Sequence, residues 1–236
     1  MLTDAEVTLS GRPVRYTLRR SARARWVSGW IRPETGLVVT VPVNAAPTQA
    51  EAFLLRHQRW VIRQLDRLAR LSETLPRPWP YGTSLFYRGE AHTVEVQQAR
   101  AGSVECAPGR LVVHAPSASI EGARRVLQRW LKREAEVVLG ERVQVLGAAM
   151  GLKPKRIYVR NLRWRWGSCW PGGSLSFNYR LIMAPPHILD YVVIHELAHL
   201  EERNHSSRFW SLVESHFPEH QVARTWLRTF GGCLGV

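Results

Sequence analysis

The sequence has little cysteine: its three cysteines, at 106, 169 and 233, are widely spaced and form no CxxC pair. A disulfide framework is therefore excluded, because such frameworks need several cysteines in a short chain. The sequence also lacks a run of about 18 apolar residues, which a membrane-spanning helix requires. Its first 13 residues have neither the basic start nor the apolar stretch of a secretory signal. These absences predict a cytoplasmic protein with reduced thiols and no membrane span.

Acidic residues are also scarce, with 19 Asp and Glu against 33 Lys and Arg, which gives a net charge of +14. This excess is typical of proteins with nucleic-acid or nucleotide partners, although a solvated basic surface explains it as well. The chain has no P-loop and no carboxylate cluster for Mg²⁺, which counts against a nucleoside triphosphate hydrolase. Hydrophobic residues make up 45% of the chain, enough for a substantial core. The oligomeric state does not follow from composition.

Two segments resemble loose copies of one another. In each, a Leu-Val-Val strand that ends in proline is followed by an amphipathic helix, and the two Leu-Val-Val sequences are 74 residues apart. The first strand and helix are predicted at 36–42 and 48–71, and the second at 110–116 and 119–150. A shared strand-then-helix plan without common ancestry explains the likeness almost as well.

Strand patterns precede both helices and predict β-hairpins on the N-terminal side of each one. The sequence PETG at 33–36 is a turn between two of the first strands. Alternating prolines between residues 76 and 80 disfavour helix and sheet alike, so we place a domain boundary there. The sequence predicts an α+β fold, with β-hairpins and an amphipathic helix in residues 1–75 and a second, larger domain in residues 76–236.

The C-terminal part of the chain has a different pattern. Alternating Trp and Arg at 163–170 and the segment at 174–184 both indicate strands. Two prolines, at 185 and 186, then begin a helix with a strongly apolar first half. A final helix is predicted to end at the glycines at 231 and 232.

The helix that begins at the two prolines contains the motif H-E-x-x-H, at His195, Glu196 and His199. The i, i+4 spacing sets both imidazoles on one helix face, about one turn apart, so that they can bind one metal ion. Glu196 follows the first histidine, where a base can take a proton from a metal-activated water. The apolar residues before the motif would bury His195, and burying an imidazole is costly unless a partner such as a metal satisfies it.

A catalytic zinc site has three protein ligands and one open position, so a third ligand is needed. His205 is favoured, because its separation of six residues from His199 matches the ligand spacing of metzincins. Those enzymes have a glycine in the turn between the two ligands, and we predict that Asn204 takes the left-handed conformation here. Ser206 is predicted to cap the following helix. The other candidates for the third ligand are Glu202, Glu214, His216, Glu219 and His220.

The segment 159–213 resembles the metal-binding region of the YgjP-like metallopeptidase domain family, and the N-terminal hairpins and helix are similar to that family too. The motifs that carry the resemblance are R-W-G-S-C at 165–169, N-x-R-L at 178–181, the proline pair, H-E-L-x-H, and N-H-S followed by F-W at 204–210.

This resemblance implies a zincin-like α+β fold and a zinc-dependent peptidase that acts on peptides or proteins with one Zn²⁺ per chain. It also implies that His195, His199 and His205 are the metal ligands and that Glu196 is the catalytic base. Asn178, Tyr179 and Tyr158 are weaker candidates for contacts with the substrate or its oxyanion. The strand before the metal-binding helix is either an edge strand that a peptide can extend or a buried strand. For Cys169, a structural thiol is favoured over a metal ligand.

Two other functions stay open beside the peptidase. The arginine excess fits a metal-dependent pyrophosphohydrolase of nucleoside triphosphates. SprT-like proteases share W-G-S-C and H-E-x-x-H, so a nucleic-acid-associated protease or binding module is the second alternative. The Trp/Arg segment at 163–170 and the basic segment at 19–25 would supply its binding surface.

Overall fold

The computed structural model describes residues 2–32, 36–46, 48–74, 79–80, 83–162 and 165–235. Contacts within the chain divide it into two compact units, Met1–Pro76 and Arg77–Val236. Most of the predicted PETG turn, and Arg163 and Trp164 of the Trp/Arg segment, lie outside the described residues. Within the described ranges, every helix is too short or too polar to span a membrane.

A four-stranded sheet forms much of the N-terminal unit. Its strands are β1 (Leu2–Leu9), β2 (Arg12–Ser21), β3 (Ser28–Arg32) and β4 (Gly36–Pro42). The order is β1-β2-β4-β3, with antiparallel hairpins at both edges and a parallel pair, β2 and β4, in the middle. The Leu-Val-Val sequence of β4 is buried, as its apolar and β-branched residues favour.

The helix predicted at 48–71 is in fact two helices, α1 (Thr48–Arg56) and α2 (Gln58–Thr74). The prediction of one continuous helix is wrong at His57, whose carbonyl oxygen begins a new set of helical hydrogen bonds. Ser10, in the turn between β1 and β2, donates from both its backbone nitrogen and its hydroxyl to Gln58 Oε1. These hydrogen bonds fix the position of Gln58, the first residue of α2. They come from a distant segment, so helical periodicity does not predict them.

The C-terminal unit begins with a second sheet of the same strand order. Its strands are β5 (Ser84–Tyr87), β6 (Glu90–Gln98), β7 (Ser103–Ala107) and β8 (Arg110–Ala115). The order is β5-β6-β8-β7, again with two antiparallel hairpins and a parallel central pair. The two Leu-Val-Val sequences lie in β4 and β8, at equivalent places in the two sheets. The structure therefore confirms the likeness between the two segments.

A 31-residue helix, α3 (Ile120–Met150), follows β8 and confirms the helix predicted at 119–150. Ser119 Oγ accepts a hydrogen bond from the backbone nitrogen of Gly122 at 3.1 Å and caps the helix start. Gly151, with a φ of 67°, ends the helix in the left-handed conformation. Buried residues recur every three or four positions, which gives the helix one continuous apolar side: Ala123, Val126, Leu127, Leu131, Ala135, Leu139, Val143 and Gly147.

A three-stranded sheet follows α3. Its strands are β9 (Arg156–Arg160), β10 (Gly167–Cys169) and β11 (Ser174–Asn178), in the order β10-β11-β9. Strand β11 is paired on both sides, so it is the buried strand rather than the edge strand of the two alternatives. Of the strand predicted at 163–170, the described residues form a strand at Gly167–Cys169.

The segment at 174–184 is not one strand, as its pattern predicted. After β11 the chain forms a 3-10 helix, Tyr179–Met183. The reason is local, because Asn178 Oδ1 accepts a hydrogen bond from the backbone nitrogen of Arg180 at 3.2 Å and caps this helix.

Three helices complete the unit: α4 (Pro186–Ala198), α5 (Ser207–His216) and α6 (His220–Phe230), the last followed by a 3-10 helix at Gly231–Cys233. Helix α4 begins at the predicted proline pair and packs against α3. Arg142 of α3 donates from two nitrogens to the carboxylate of Asp190 of α4, at 2.6 and 3.0 Å. A Cβ added at Gly147 would lie 2.6 Å from the backbone oxygen of Leu152 and 3.7 Å from Leu197 of α4. These contacts hold α4 firmly on α3.

Candidate metal centre

His195, His199 and His205 converge at the C-terminal end of α4. His195 lies in the last turn of α4, and His199 directly follows its last residue with helical backbone angles. His205 comes from the loop between α4 and α5. One ring nitrogen of each histidine lies within 4.8 Å of those of the other two, and Nε2 of His195 is 3.2 Å from Nε2 of His205. Among the described residues, no other group of His, Cys, Asp or Glu side chains has this geometry.

The protonation states of the rings suit metal binding. The backbone oxygen of Glu202 lies 3.0 Å from Nδ1 of His199, and because a carbonyl oxygen can only accept, Nδ1 carries a proton and Nε2 is the nitrogen left to bind a metal. Burial, together with the nearby charges of His199, His205 and Arg224, lowers the pKa of His195 to about 3. Burial also lowers the pKa of His205. Both rings are therefore neutral near pH 7, and neutral imidazole is the form that binds metals.

Aromatic side chains pack around the three imidazoles. The ring of Phe209 stacks on His199 with 4.4 Å between centroids, and Trp210 stacks on His205 at 5.6 Å. Tyr191, one turn earlier in α4, has its ring 5.9 Å from the first of the three histidines. This packing restrains the planes of the rings, so a metal could bind with little rearrangement.

The loop between α4 and α5 does not turn as predicted. The non-glycine residues with positive φ in the described chain are Ser10 and Arg88, so the prediction of a left-handed Asn204 is wrong. Instead, Oδ1 of Asn204 accepts a hydrogen bond from the backbone nitrogen of Ser206 at 3.2 Å, and this side-chain bond supports the turn. The predicted cap is confirmed, since Ser206 Oγ accepts from the backbone nitrogen of Phe209 at 3.4 Å.

Glu196 is buried, with 6% of its surface exposed, and it faces strand β10. A Cβ added at Gly167 would lie 2.5 Å from both Cγ and Oε1 of Glu196, so the backbone of β10 closely limits the position of the carboxyl group. Burial raises the pKa of Glu196 to about 8, although the nearby positive charge of Arg165 has a smaller, lowering effect on this pKa. A carboxyl group with a pKa near neutrality is well suited to take up and release a proton.

The role of Gly167 did not emerge from the sequence, where this glycine is only one letter of the R-W-G-S-C motif. The φ of Gly167 is not positive, so an unusual backbone conformation does not explain the glycine. A glycine is needed here because the backbone closely approaches Glu196. Tyr191 was also missed, although its position four residues before His195 places it on the same helix face.

The other candidates for the third ligand lie elsewhere. Glu202 contributes its backbone oxygen to His199. His220 is buried and stacks on Trp210, with 5.5 Å between ring centroids. His205 is therefore the ring that the fold brings to the H-E-x-x-H pair. Within the described chain, the converging group does not include Glu202, Glu214, His216, Glu219 or His220.

Asn178, Tyr179 and Tyr158 have structural partners. Nδ2 of the buried Asn178 donates to the backbone oxygens of Leu162 and Arg165, at 2.7 and 3.2 Å, and so fixes the positions of these two residues. Tyr179 is buried in the core, and Tyr158 of β9 lies beneath an arginine of the same strand. A contact of these three residues with substrate stays a prediction.

Cys169, at the end of β10, is half-buried. Burial raises the pKa of its thiol, and the nearby charge of Glu196 raises it further, so the thiol is protonated near pH 7. A protonated thiol is a poor metal ligand, which fits the structural role that the sequence favoured.

The chain is similar to a known protein family and to two crystal structures. The family model described as YgjP-like, metallopeptidase domain, matches residues 28–230. The crystal structure of the metallopeptidase zymogen of Pyrococcus abyssi abylysin is 23% identical and covers 38% of this chain and 93% of its own, with a TM-score of 0.35. The metallopeptidase zymogen of Methanocaldococcus jannaschii jannalysin is 16% identical and covers 37% of this chain and 93% of its own, with a TM-score of 0.33. Comparison with curated proteins gives no match.

The match to the family model includes the three converging histidines and Glu196. A metallopeptidase is a hydrolase that uses a metal cofactor and acts on peptides or proteins, and neutral imidazoles at the end of a helix with a buried carboxyl group fit such an enzyme. The chain belongs to the YgjP-like family and contains its metallopeptidase domain.

Proposed function

We propose that this chain is a zinc-dependent peptidase in which His195, His199 and His205 bind the ion and Glu196 is the general base. The observation that carries the proposal is the convergence of three imidazole nitrogens within 4.8 Å at the end of a helix that also carries a buried carboxyl group. Three protein ligands with a position left for water are the arrangement of catalytic zinc sites, whereas structural zinc sites are closed by a fourth protein ligand.

The donor set supports zinc on chemical grounds. Imidazole nitrogen is a common ligand of zinc and of other transition metals, and burial keeps His195 and His205 in the neutral form. The hydrogen bond from His199 Nδ1 to the backbone oxygen of Glu202 fixes the tautomer that leaves Nε2 available. Bound zinc would supply Lewis acidity, which polarises a substrate carbonyl and acidifies water.

Glu196 would move the proton of the reaction. The hydroxyl of water adds to the carbonyl carbon, and the proton of that water passes to the carboxylate of Glu196. This proton then moves to the amide nitrogen as the C–N bond breaks, which releases a carboxylic acid and an amine. The raised pKa of Glu196, about 8, makes its carboxylate a stronger base for the first transfer. The charge of a cation at the histidines would lower this pKa, which favours the carboxylate form and the release of the proton in the second transfer. The contact with Gly167 keeps this carboxylate in a narrow range of positions.

Metal analysis of wild type, His205→Ala and Glu196→Gln tests these roles, combined with cleavage assays on a denatured protein. We expect about one zinc ion per chain in the wild type, little zinc in His205→Ala, and full zinc without cleavage in Glu196→Gln. His216→Ala is a matched control, because this exposed histidine ends α5 and does not join the converging group of the described residues. It should keep both the zinc and the activity.

Two results would contradict the proposal in different ways. Full zinc occupancy in His205→Ala, with the far-ultraviolet circular dichroism of the wild type, would show that His205 is not a ligand. Hydrolysis of nucleoside triphosphates by the zinc-loaded wild type, with no cleavage of any protein or peptide, would replace the peptidase with the nucleotide alternative.

A further inference from the structure

A cavity of about 410 Å³ opens beside the histidine cluster. One of its walls is a single face of α6, formed by Gln221, Arg224, Thr225 and Arg228, which recur at helical spacing. Trp166 and Tyr191 line it as well. Because Tyr191 also packs against His195, with 5.9 Å between ring centroids, the cavity adjoins the candidate metal centre.

The cavity is strongly basic. Arg224 and Arg228 both line it, and the ion pairs found in the described part of the chain include neither of them. The guanidinium of Arg224 lies over the ring of Trp210, 4.4 Å from its centroid, which orients the group. Arg228 donates to the hydroxyl of Thr225 at 3.4 Å, so its remaining N–H groups are available to a ligand.

Arg224 is close to the candidate metal centre. Its guanidinium lies over the ring of Trp210, and that ring stacks on His205 with 5.6 Å between centroids. Tyr191 lines the same cavity, and its hydroxyl can donate a hydrogen bond. The cavity thus combines two guanidinium groups with hydroxyl and amide donors, at the side of the histidines.

We propose that this cavity binds a carboxylate group of the peptide substrate, close to the scissile bond, and that Arg228 and Arg224 determine this specificity. The proposal rests on the peptidase function proposed above. Guanidinium groups match carboxylates in charge and in hydrogen-bond geometry, and they repel the basic side chains of other peptides. The carboxylate is either that of an acidic side chain or that of the substrate's C-terminus, since both have the same chemistry.

The expected effect is moderate because both arginines are exposed to solvent. Charge-assisted hydrogen bonds in a partly solvated site correspond to roughly a tenfold preference in kcat/KM. Salt should reduce the preference, since exposed charges are screened over about 10 Å at 0.1 M ionic strength.

One peptide in four versions tests the proposal. Its sequence is copied from a cleavage site mapped in a denatured protein, with either Glu or Gln at the two residues that flank the scissile bond. Each form is made with a free C-terminus close to that bond or with an amidated one. A side-chain carboxylate gives a Glu-over-Gln preference of about tenfold, whereas a terminal carboxylate gives the same preference for the free C-terminus over the amide. Either result supports the proposal.

Substitutions of the two cavity arginines test whether the preference for a carboxylate arises in the cavity. Arg228→Gln should reduce the tenfold ratio to about twofold, whereas Arg228→Lys should keep most of it because the charge remains. Arg224→Gln should reduce the ratio too, and zinc content reports whether the loss of its contact with Trp210 disturbs the metal centre. Arg208→Gln is the matched control: it removes one exposed positive charge from α5, outside the cavity lining, and should keep the wild-type ratio.

Equal cleavage of all four versions by the wild type would overturn the proposal and leave the peptidase function intact. A full preference in both Arg228→Gln and Arg224→Gln would overturn it as well, since the preference would then arise elsewhere. No cleavage of any version by zinc-loaded wild type would overturn the proposed function together with this inference.

Discussion

The two units of the chain contain the same sheet but continue into different helices. In both sheets the second strand pairs in parallel with the fourth, and the Leu-Val-Val strand contacts the helix that follows it. In the N-terminal unit this helix, α1, has nine residues, and the chain starts a new helix after His57. In the C-terminal unit α3 continues for 31 residues without interruption.

The greater length of α3 has a consequence for the metal centre. At 1.5 Å per residue, α3 is roughly 46 Å long and α1 roughly 14 Å. The first part of α3 covers its own sheet, and the rest is free to pack on α4, through the Arg142–Asp190 pair and the contact of Gly147 with Leu197. The sheet is therefore common to both units, whereas the long helix α3 joins the C-terminal sheet to the candidate metal centre.

The largest difference between the units should be in metal binding. His199→Ala removes a ligand of the proposed ion, so zinc should fall from about one ion per chain to none and cleavage to background. His57→Ala changes the histidine at the helix break of the N-terminal unit and should leave both unchanged. Mass spectrometry for zinc and a peptide-cleavage assay measure the two effects. Equal zinc in the two variants would contradict the assignment of the site to the C-terminal unit.

Each unit has a strand glycine that faces a helix side chain, and the two glycines should differ in effect. Gly167→Ala forces Glu196 away, because the new Cβ would lie 2.5 Å from its Cγ, and kcat/KM should fall by about 100-fold with zinc retained. Gly29→Ala brings a Cβ within 2.7 Å of the ring of Phe53 instead, and should cost about 1 kcal/mol of stability with unchanged kcat/KM. Wild-type kcat/KM in Gly167→Ala would show that the position of Glu196 is not critical.

An ion pair in each unit allows the packing of the helices to be compared. The Arg142–Asp190 pair between α3 and α4 is largely buried, with 35% and 22% of the two side chains exposed, whereas the values for Arg12–Asp66 are 57% and 36%. Arg142→Met leaves a half-buried carboxylate unpaired and should cost about 1–2 kcal/mol, against roughly 0.5 kcal/mol for Arg12→Met. Thermal unfolding combined with hydrogen exchange in α4 and α2 measures both. Similar losses in the two variants would mean that burial does not distinguish the two pairs.

The smallest predicted effect is a pH dependence that belongs to the C-terminal unit. Burial raises the pKa of Glu196 from its ordinary value of 4.5 to about 8. Between these two values the folded state holds a proton that the unfolded state has released. The protonated Glu196 therefore stabilises the folded state fully below pH 4.5, and this stabilisation is lost as the pH rises through about 8. Between pH 7 and 9, where His195 is neutral in both states, metal-free protein should lose about 1 kcal/mol. Urea unfolding of wild type and Glu196→Gln measures this loss, and an equal loss in Glu196→Gln would assign it to another group.

Much of the fold and of the candidate site could be predicted from the sequence. The periodicity predicted α3 almost to the residue, and Pro186 and Ser206 began α4 and α5 as expected. The spacing of His195, His199 and His205 anticipated the group of rings that the structure brings together. These signals lie within a few residues of one another along the chain, so they are readable without the fold.

Other features were not predictable because their causes lie far away in the sequence or compete locally. The helix break at His57 accompanies a contact of Gln58 with Ser10, 48 residues away. The early end of β11 follows from an Asn178 side chain that bonds to Leu162 and Arg165 as well as to Arg180. Periodicity describes one segment at a time, and it does not include hydrogen bonds that arrive from another segment.

By itself, the sequence determined the type and place of most helices and strands, the family, and the spacing of the three histidines that converge in the structure, because caps, periodicity and residue spacing act over short distances. Only the tertiary structure decided that β11 is a central strand, that Gly167 confines Glu196, and that Arg224 and Arg228 line a cavity beside the histidines. Each of these depends on which distant segments meet. A contact between such segments has no signature in either segment alone, and it exists only once the chain has folded.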